Sequence, residues 1–212
     1  MRHHPVYLLG IMVIGLICAC SSDDETWSDN YQMTFLDLAT NADGKAAKAV
    51  SDEGETWIVD NPIGGLKNDT IYRIIAMYTR NDQHISLSSY AHAISARPVR
   101  LAEDDSLYTD PVGIQRIWKV PNYINATLSV ANKDKNHVLG FVEQSITTNS
   151  DGKKIAHIQF YHNRNNDIDA FNSTAYISLP LRVYAETLTT GQDSIYFTIN
   201  TPNGNITYPY LY

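Results

Sequence analysis

The chain of 212 residues is 43% hydrophobic and 18% charged, with 16 Lys and Arg against 23 Asp and Glu for a net charge of -7. These proportions exclude a disordered tail, which buries too little apolar surface to offset the entropy of ordering. No Lys/Arg run is present, which excludes a basic nucleic-acid surface. The two Cys allow at most one intramolecular disulfide, and the length suits one large domain or two small ones, at roughly 100 to 200 residues each. Fourteen Tyr and three Trp against five Phe favour strands with a wet face, since aromatics fit a pleated surface and Tyr keeps its hydroxyl in water.

Residues 1–19 read as an export signal. Arg2, His3 and His4 make a short basic start, and residues 6–17 form an apolar run too short for a bilayer-spanning helix, which needs about 20 residues. Its end, Leu16-Ile17-Cys18-Ala19-Cys20, resembles the lipobox of bacterial lipoproteins. Cys20 fits as the lipidated residue, with apolar Ile17 three before it and small Ala19 one before it. Cys18 does not fit, because Ile17 occupies its small-residue position. A CxC metal or redox pair is the competing reading, but no further Cys completes a thiolate set. The acidic run that follows, Ser21, Ser22, Asp23, Asp24 and Glu25, resembles the signal that sends lipoproteins of Bacteroidetes to the cell surface; a solvated linker is the alternative. Residues 20–30 are thus a lipidated Cys and an acidic linker. An acidic body held by lipid is not drawn electrostatically to anionic headgroups.

Beyond this segment period-2 alternation recurs, and no helical periodicity is sustained. Residues 31–97 contain about five predicted strands, at 31–38, 46–50, 56–60, 70–80 and 84–97, with turns at Asp52-Glu53-Gly54-Glu55 and Asn81-Asp82. Five strands in so short a stretch suit a small closed barrel of the OB type. Arg97-Pro98 marks a boundary, and Glu103-Asp104-Asp105 reads as a solvated link. Residues 98–212 carry half-buried strands: Ile124, Ala126, Leu128 and Val130 alternate with Tyr123, Asn125, Thr127 and Ser129, and Ala156, Ile158 and Phe160 with His157, Gln159 and Tyr161. Ala175, Ile177, Leu179, Leu181 and Val183 share one face, and Ile195, Phe197 and Ile199 another. Pro180 cannot donate to a ladder, so its strand lies at an edge or is bulged there. Asn/Asp/Gly turns between these strands predict an antiparallel β-sandwich. The predicted fold is all-β: a small OB-like barrel followed by a sandwich.

Several motifs in this order resemble the NigD-like family of Bacteroidetes lipoproteins. They are Asp105-Ser106, Asp110-Pro111-Val112, Ile117-Trp118, Tyr123-Ile124-Asn125, the Ile158-to-Asn163 stretch, Ser178-Leu179-Pro180-Leu181 and Asp193-Ser194-Ile195. In the N-terminal part the strand pattern and the Asp-Glu-Gly-Glu turn agree. The resemblance implies an OB-like domain joined to a sandwich, life as a surface or periplasmic lipoprotein, and no catalytic residues to carry over.

The residues themselves point to no catalytic set and no cofactor. Residues 20–212 contain no Cys besides Cys20, and neither a GxSxG elbow nor an HExxH pair occurs. His157 and His162 differ by an odd number and face opposite sides of one strand. His84 and His92 lie roughly 26 Å apart along another. His137 begins a strand beside Lys135, and surface or strand-end positions are expected for all of these. Asn163, Asn165, Asp167 and Asp169 have the alternate spacing of a Ca²⁺ loop but lack its Gly and terminal Glu, so a polar turn is expected and no metal. Carboxylate pairs fall in turns, where Asp bonds its local backbone.

Aromatics are the better candidates. Trp57, Tyr72, Tyr78 and Tyr90, with Tyr31 and Trp118, make a ligand-stacking surface on the barrel or else pack it, with Trp118 reading as structural. The Asn-X-Ser/Thr positions Asn68, Asn125, Asn172 and Asn205, and Asp-Ser/Thr triplets such as Asp105-Ser106-Leu107, have the form of glycosylation acceptors. The expectation is a non-enzymatic lipoprotein of the outer membrane, held by Cys20 at the cell surface to bind an extracellular glycan, peptide or protein, with no nucleic acid. An envelope assembly or bacteriocin-immunity component binding a protein partner is the alternative, and an envelope hydrolase the third reading.

Overall fold

A computed structural model describes residues 31–212, so Cys20 and the acidic run lie outside the described residues. The first five strands are β1 (Tyr31–Thr40), β2 (Ala46–Ser51), β3 (Thr56–Val59), β4 (Ile71–Asn81) and β5 (His84–His92). They close in the order β1-β2-β3-β5-β4, an OB-like barrel. Closure rests on a short parallel contact of β3 with β5, Ile58 opposite His84 and Val59 opposite Ile85. Asn61 extends it by bonding both backbone groups of Leu87, at 2.7 and 2.8 Å. Leu36, Leu38, Ala49, Trp57, Ile74, Tyr78 and Ile85 fill the interior, each Leu or Ile side chain contributing roughly 1.5–3 kcal/mol on burial. Gly44, at φ +69°, lets the 63–70 loop fold over one end; a Cβ there would meet the Leu66 carbonyl oxygen at 2.2 Å.

Seven strands follow: β6 (Gly113–Lys119), β7 (Tyr123–Asn132), β8 (Val138–Thr148), β9 (Lys154–Asn163), β10 (Phe171–Pro180), β11 (Ser194–Thr201) and β12 (Gly204–Leu211). They form two sheets, β10-β7-β6 and β12-β11-β9-β8, around a core that includes Ile124, Leu128, Phe141, Ile158, Phe160, Ile177, Leu179 and Phe197. The sandwich is antiparallel except where β11 runs parallel to β9, because β10 crosses to the other sheet between them. Pro180 ends an edge strand, where its missing N–H costs no ladder bond. The alternation past Pro180 is not strand: Leu181 caps a 3-10 turn, Arg182–Tyr184, and Leu181, Val183 and Tyr184 still pack on the core while Arg182 is exposed.

The segment predicted as the end of the fifth strand is instead a seam. Ile94 forms a parallel bridge with Ile177 on β10, and Val99 another with Val142 on β8. The connection therefore covers one free edge of each sheet, on the same side of the sandwich, while the acidic residues 103–105 stay exposed. Further on, Thr109 bridges His162, and Val112 donates its amide to the Asn200 carbonyl at 3.0 Å.

Barrel and sandwich meet across a polar contact centred on Arg73 of β4. Its guanidinium lies 3.8 Å from the Tyr123 ring centroid and donates to Asp52 (2.5 Å), Asn125 (3.1 Å), Ser178 (3.0 Å) and Asp37 (3.4 Å). Asn125 donates to the second Asp52 oxygen at 2.8 Å and accepts from the Ser178 hydroxyl at 2.7 Å. The Tyr123 hydroxyl reaches both oxygens of Asp37 at 3.0 Å, and its pKa is pushed up to about 12, by burial first and then by that carboxylate. Asp52 also lies above the usual carboxylate range, because burial outweighs the opposing pull of Arg73. Beside this network Phe35 packs edge-on against Trp118 (5.7 Å) and Tyr176 (6.1 Å). The faces of β7 and β10 expected to be wet at Asn125 and Ser178 are thus covered by the barrel.

Replacing Arg73 with Leu leaves Asp52 and Asp37 without their cation, and breaking such a buried pair costs about 3–5 kcal/mol. Urea unfolding at neutral pH is expected to show a loss of that order. The loss shrinks as pH falls, because the buried Asp52, already held above the usual carboxylate range, takes up a proton more readily once Arg73 no longer opposes it.

Candidate functional site

Of the four aromatics expected to stack a ligand, two are interior residues. Trp57 is 4% and Tyr78 2% exposed, their rings 5.5 Å apart inside the barrel. The exposed part reduces to Tyr90, 38% exposed, and half-buried Tyr72, joined through His92 at ring distances of 5.8 and 5.3 Å. The Tyr72 hydroxyl is fixed as the acceptor of the Lys67 amide at 2.9 Å. Beside Tyr90 lies a shallow recess of about 330 Å³, lined by Ile63, Leu87, Ser88 and Ser89. It opens where β5 runs past the end of β3 and loses its neighbour on that side. An aromatic face, two hydroxyls and no charged lining residue suit a neutral, partly apolar ligand.

A second recess, about 450 Å³, runs along the sandwich edge not covered by the linker. Ile114, Arg116 and Ile117 of β6 face Pro202, Ile206 and Tyr208 across it. Arg116 is its one charged lining residue and lies over the Trp118 ring at 4.4 Å. A bulge between Ile114 and Arg116, and Pro209 within β12, interrupt both edges and disfavour further strand pairing.

The histidines depart most from expectation. His84 is exposed and bonded to Asp60 at 2.6 Å, and His157 accepts or donates to Thr147 at 2.9 Å. His137 and His162 are not at the surface: they are 5% and 1% exposed, with Nδ1 of the first 2.9 Å from Nε2 of the second. His162 Nδ1 meets the Asp110 carbonyl at 2.9 Å, and His137 Nε2 meets Asp167 Oδ2 at 3.2 Å. Burial pushes the His162 pKa down, against the pull of the Asp110 carbonyl. Burial would raise the Asp167 carboxyl, but the amides of Lys133, Asp134 and Ile168 and the His137 ring more than offset it and hold it well below the usual range. The Asn163-to-Asp169 stretch is a polar turn: Asn163 accepts the Asn165 amide, Asp167 faces inward, and Asp169 pairs with Arg164. Among the described residues no group of three or more His, Cys, Asp or Glu is placed to hold a metal ion.

Sequence reasoning did not find the Arg73 contact or the His137–His162 contact. Their signal was present as polar residues set within apolar strands, Arg73 between Tyr72 and Ile74, Asn125 between Ile124 and Ala126, and Ser178 between Ile177 and Leu179. One sequence does not say which of these outward faces another domain covers.

A five-stranded barrel locked by buried polar bonds to a seven-stranded sandwich defines an all-β class of protein. Residues 95–211 match the family model of the NigD-like C-terminal beta sandwich domain, and the chain belongs to the NigD-like family. Its structure resembles that of a NigD-like immunity protein from Bacteroides caccae, at 25% identity and TM-score 0.67 over 85% of this chain and 96% of that one. It also shares its fold with a protein of unknown function from Bacteroides vulgatus (22% identity, TM-score 0.66, 86% and 90% covered) and with a candidate lipoprotein from Bacteroides fragilis (12%, 0.61, 85% and 96%). No curated protein matches the sequence.

The division between core and surface aromatics has a direct check. Tyr90→Ala and His92→Ala are expected to change unfolding free energy by no more than about 0.5 kcal/mol, whereas Trp57→Ala costs about 3–5 kcal/mol. Denaturant titration of the three variants measures this.

Proposed function

We propose that this chain is a lipid-anchored protein of the outer membrane, exposed at the cell surface, whose barrel binds an extracellular ligand without catalysis. The observation that carries the reading is the exposed Tyr90–His92–Tyr72 cluster and its uncharged recess, set on a body preceded by the lipobox at Cys20 and the acidic run Ser21 to Glu25. A sugar ring or an apolar peptide side chain stacks on Tyr90, and Ser88 and Ser89 supply hydroxyls at the rim. Support for a non-catalytic role comes from where the titratable groups sit. Arg73, Asp52, His137, His162 and Asp167 are buried and hydrogen-bonded within the protein, and none of them lines either recess.

A second reading is favoured by the Bacteroides caccae neighbour, described as an immunity protein. On it the chain binds a protein partner within the envelope, and the uncovered sandwich edge beside Arg116 is the place for that partner.

Cys20→Ala is expected to move the protein from the outer-membrane fraction to the soluble fraction; retention in the membrane contradicts the anchor. Protease treatment of intact cells separates the two readings. Digestion of the wild-type chain agrees with surface display, and full protection agrees with a partner inside the envelope.

A further inference from the structure

Three hydrogen bonds run in series through the buried histidine pair: Asp110 carbonyl to His162 Nδ1 at 2.9 Å, His162 Nε2 to His137 Nδ1 at 2.9 Å, and His137 Nε2 to Asp167 Oδ2 at 3.2 Å. Both outer partners are acceptors only. The carbonyl has no proton to give, and Asp167 already accepts the amides of Lys133, Asp134 and Ile168, which favour its ionised form. Each of the three contacts therefore takes its proton from an imidazole nitrogen. Two neutral imidazoles carry only two. With two protons, one contact would set bare lone pairs against each other in a site nearly closed to solvent.

We propose that His137 and His162 together hold three ring protons, one more than two neutral rings, and that with Asp167 they form a proton-dependent latch that fastens the interdomain connection to the sandwich. The latch joins four places in the chain. His137 precedes β8, His162 is next to last in β9, Asp167 sits in the loop before β10, and Asp110 lies in the connection before β6. Around His162 the connection is also stitched by backbone bonds, from the Asp110 amide to the His162 carbonyl at 2.9 Å and from the His162 amide to the Tyr108 carbonyl at 3.0 Å. The pair's single positive charge is balanced by Asp167, which makes the cluster neutral and tolerable when buried. Because burial disfavours a charged His162, the middle proton rests on His137 Nδ1.

The surrounding charged groups do not supply a competing counter-ion. Asp110 accepts the Arg164 amide through its side chain and lies 3.8 Å from the Arg164 guanidinium, which also holds Asp169 at 3.0 Å. Lys133 pairs with Asp134 at 3.7 Å, and Lys135 donates to the carbonyls of Asn165 and Asn166. On β9 and the connection the nearest rings are Phe160, 6.4 Å from His162, and the Tyr108–Tyr161 pair.

The signs follow from proton counts. Above about pH 6.5 the imidazoles of an unfolded chain are mostly neutral, so the folded pair binds the extra proton and the latch is lost as pH rises and that proton leaves. On the acid side His162 refuses a second charge that the unfolded chain accepts, and stability falls again below about pH 6.5. The latch is strongest near neutrality.

The test is ¹⁵N-histidine NMR of the full chain with pH, read alongside amide exchange. Near neutral pH the pair should show three protonated ring nitrogens, with His162 Nε2 bare. When the third proton leaves at higher pH, the Asp110 and His162 amides should exchange about tenfold faster, as expected for one lost hydrogen bond. The Val99 and Glu143 amides, bonded in the other part of the seam, should not change. Two ring protons on the pair at neutral pH, or loss of the third without faster exchange, overturns the proposal. Asp167→Asn removes the counter-charge and should shift that loss to lower pH; an unchanged midpoint contradicts the role given to Asp167. The wild-type proton count decides the matter even if this variant does not fold.

Discussion

Burying a guanidinium between two β domains forfeits several kcal/mol of hydration, and the fold offsets that loss by surrounding Arg73 on every side. Asp52 and Asp37 come from the barrel, Asn125, Ser178 and the Tyr123 ring from the sandwich. Each partner is in turn bonded to another, so no donor or acceptor of the set is left to water alone. A network of this kind adds little net stability over an apolar contact, but it tolerates few alternative geometries. A displaced barrel would strand a buried charge. The contact therefore sets the orientation of the barrel on the sandwich, and with it the direction in which the Tyr90 recess faces.

The connecting segment repeats that logic with backbone. Residues 93–112 are not a loose tether: Ile94 and Val99 close sheet edges, and Thr109 to Val112 dock beside the buried histidines. Edge strands left open invite pairing with other chains. Here one side of the sandwich is sealed by the chain itself, and the other is guarded by a bulge in β6 and by Pro209. The recess beside Arg116 survives on that guarded side, a surface suited to side chains more than to an added strand.

How much of this was legible follows from the kind of signal involved. Period-2 alternation found β7, β9, β10 and β11 because one face of each enters a single apolar core. It did not single out β8, whose bulge between Glu143 and Ser145 shifts the alternation, or β12, where only Tyr208 and Tyr210 are half-buried and the first four residues are exposed. The aromatics were ambiguous because a closed barrel and a stacking surface both call for Trp and Tyr; only the direction of each side chain separates Trp57 from Tyr90. The short motifs that carried the family resemblance acquire a physical meaning. Tyr123, Asn125 and Ser178 hold Arg73, the Asp110 carbonyl meets the buried His162 ring, and Asp193 accepts the amides of Lys154 and Thr189 at 2.7 Å. Polar residues at such positions tie distant segments together, and a linear sequence does not show which segments those are.

With Arg73 buried between them, the barrel and the sandwich behave as one body. Native-state hydrogen exchange of the wild-type protein tests this most directly, by comparing the slowest amides of the barrel core, at Leu36 and Ile74, with those of the sandwich core, at Ile124 and Ile177. A single shared opening free energy is the expected result. Barrel amides that open at a distinctly lower free energy while the sandwich stays protected would contradict it.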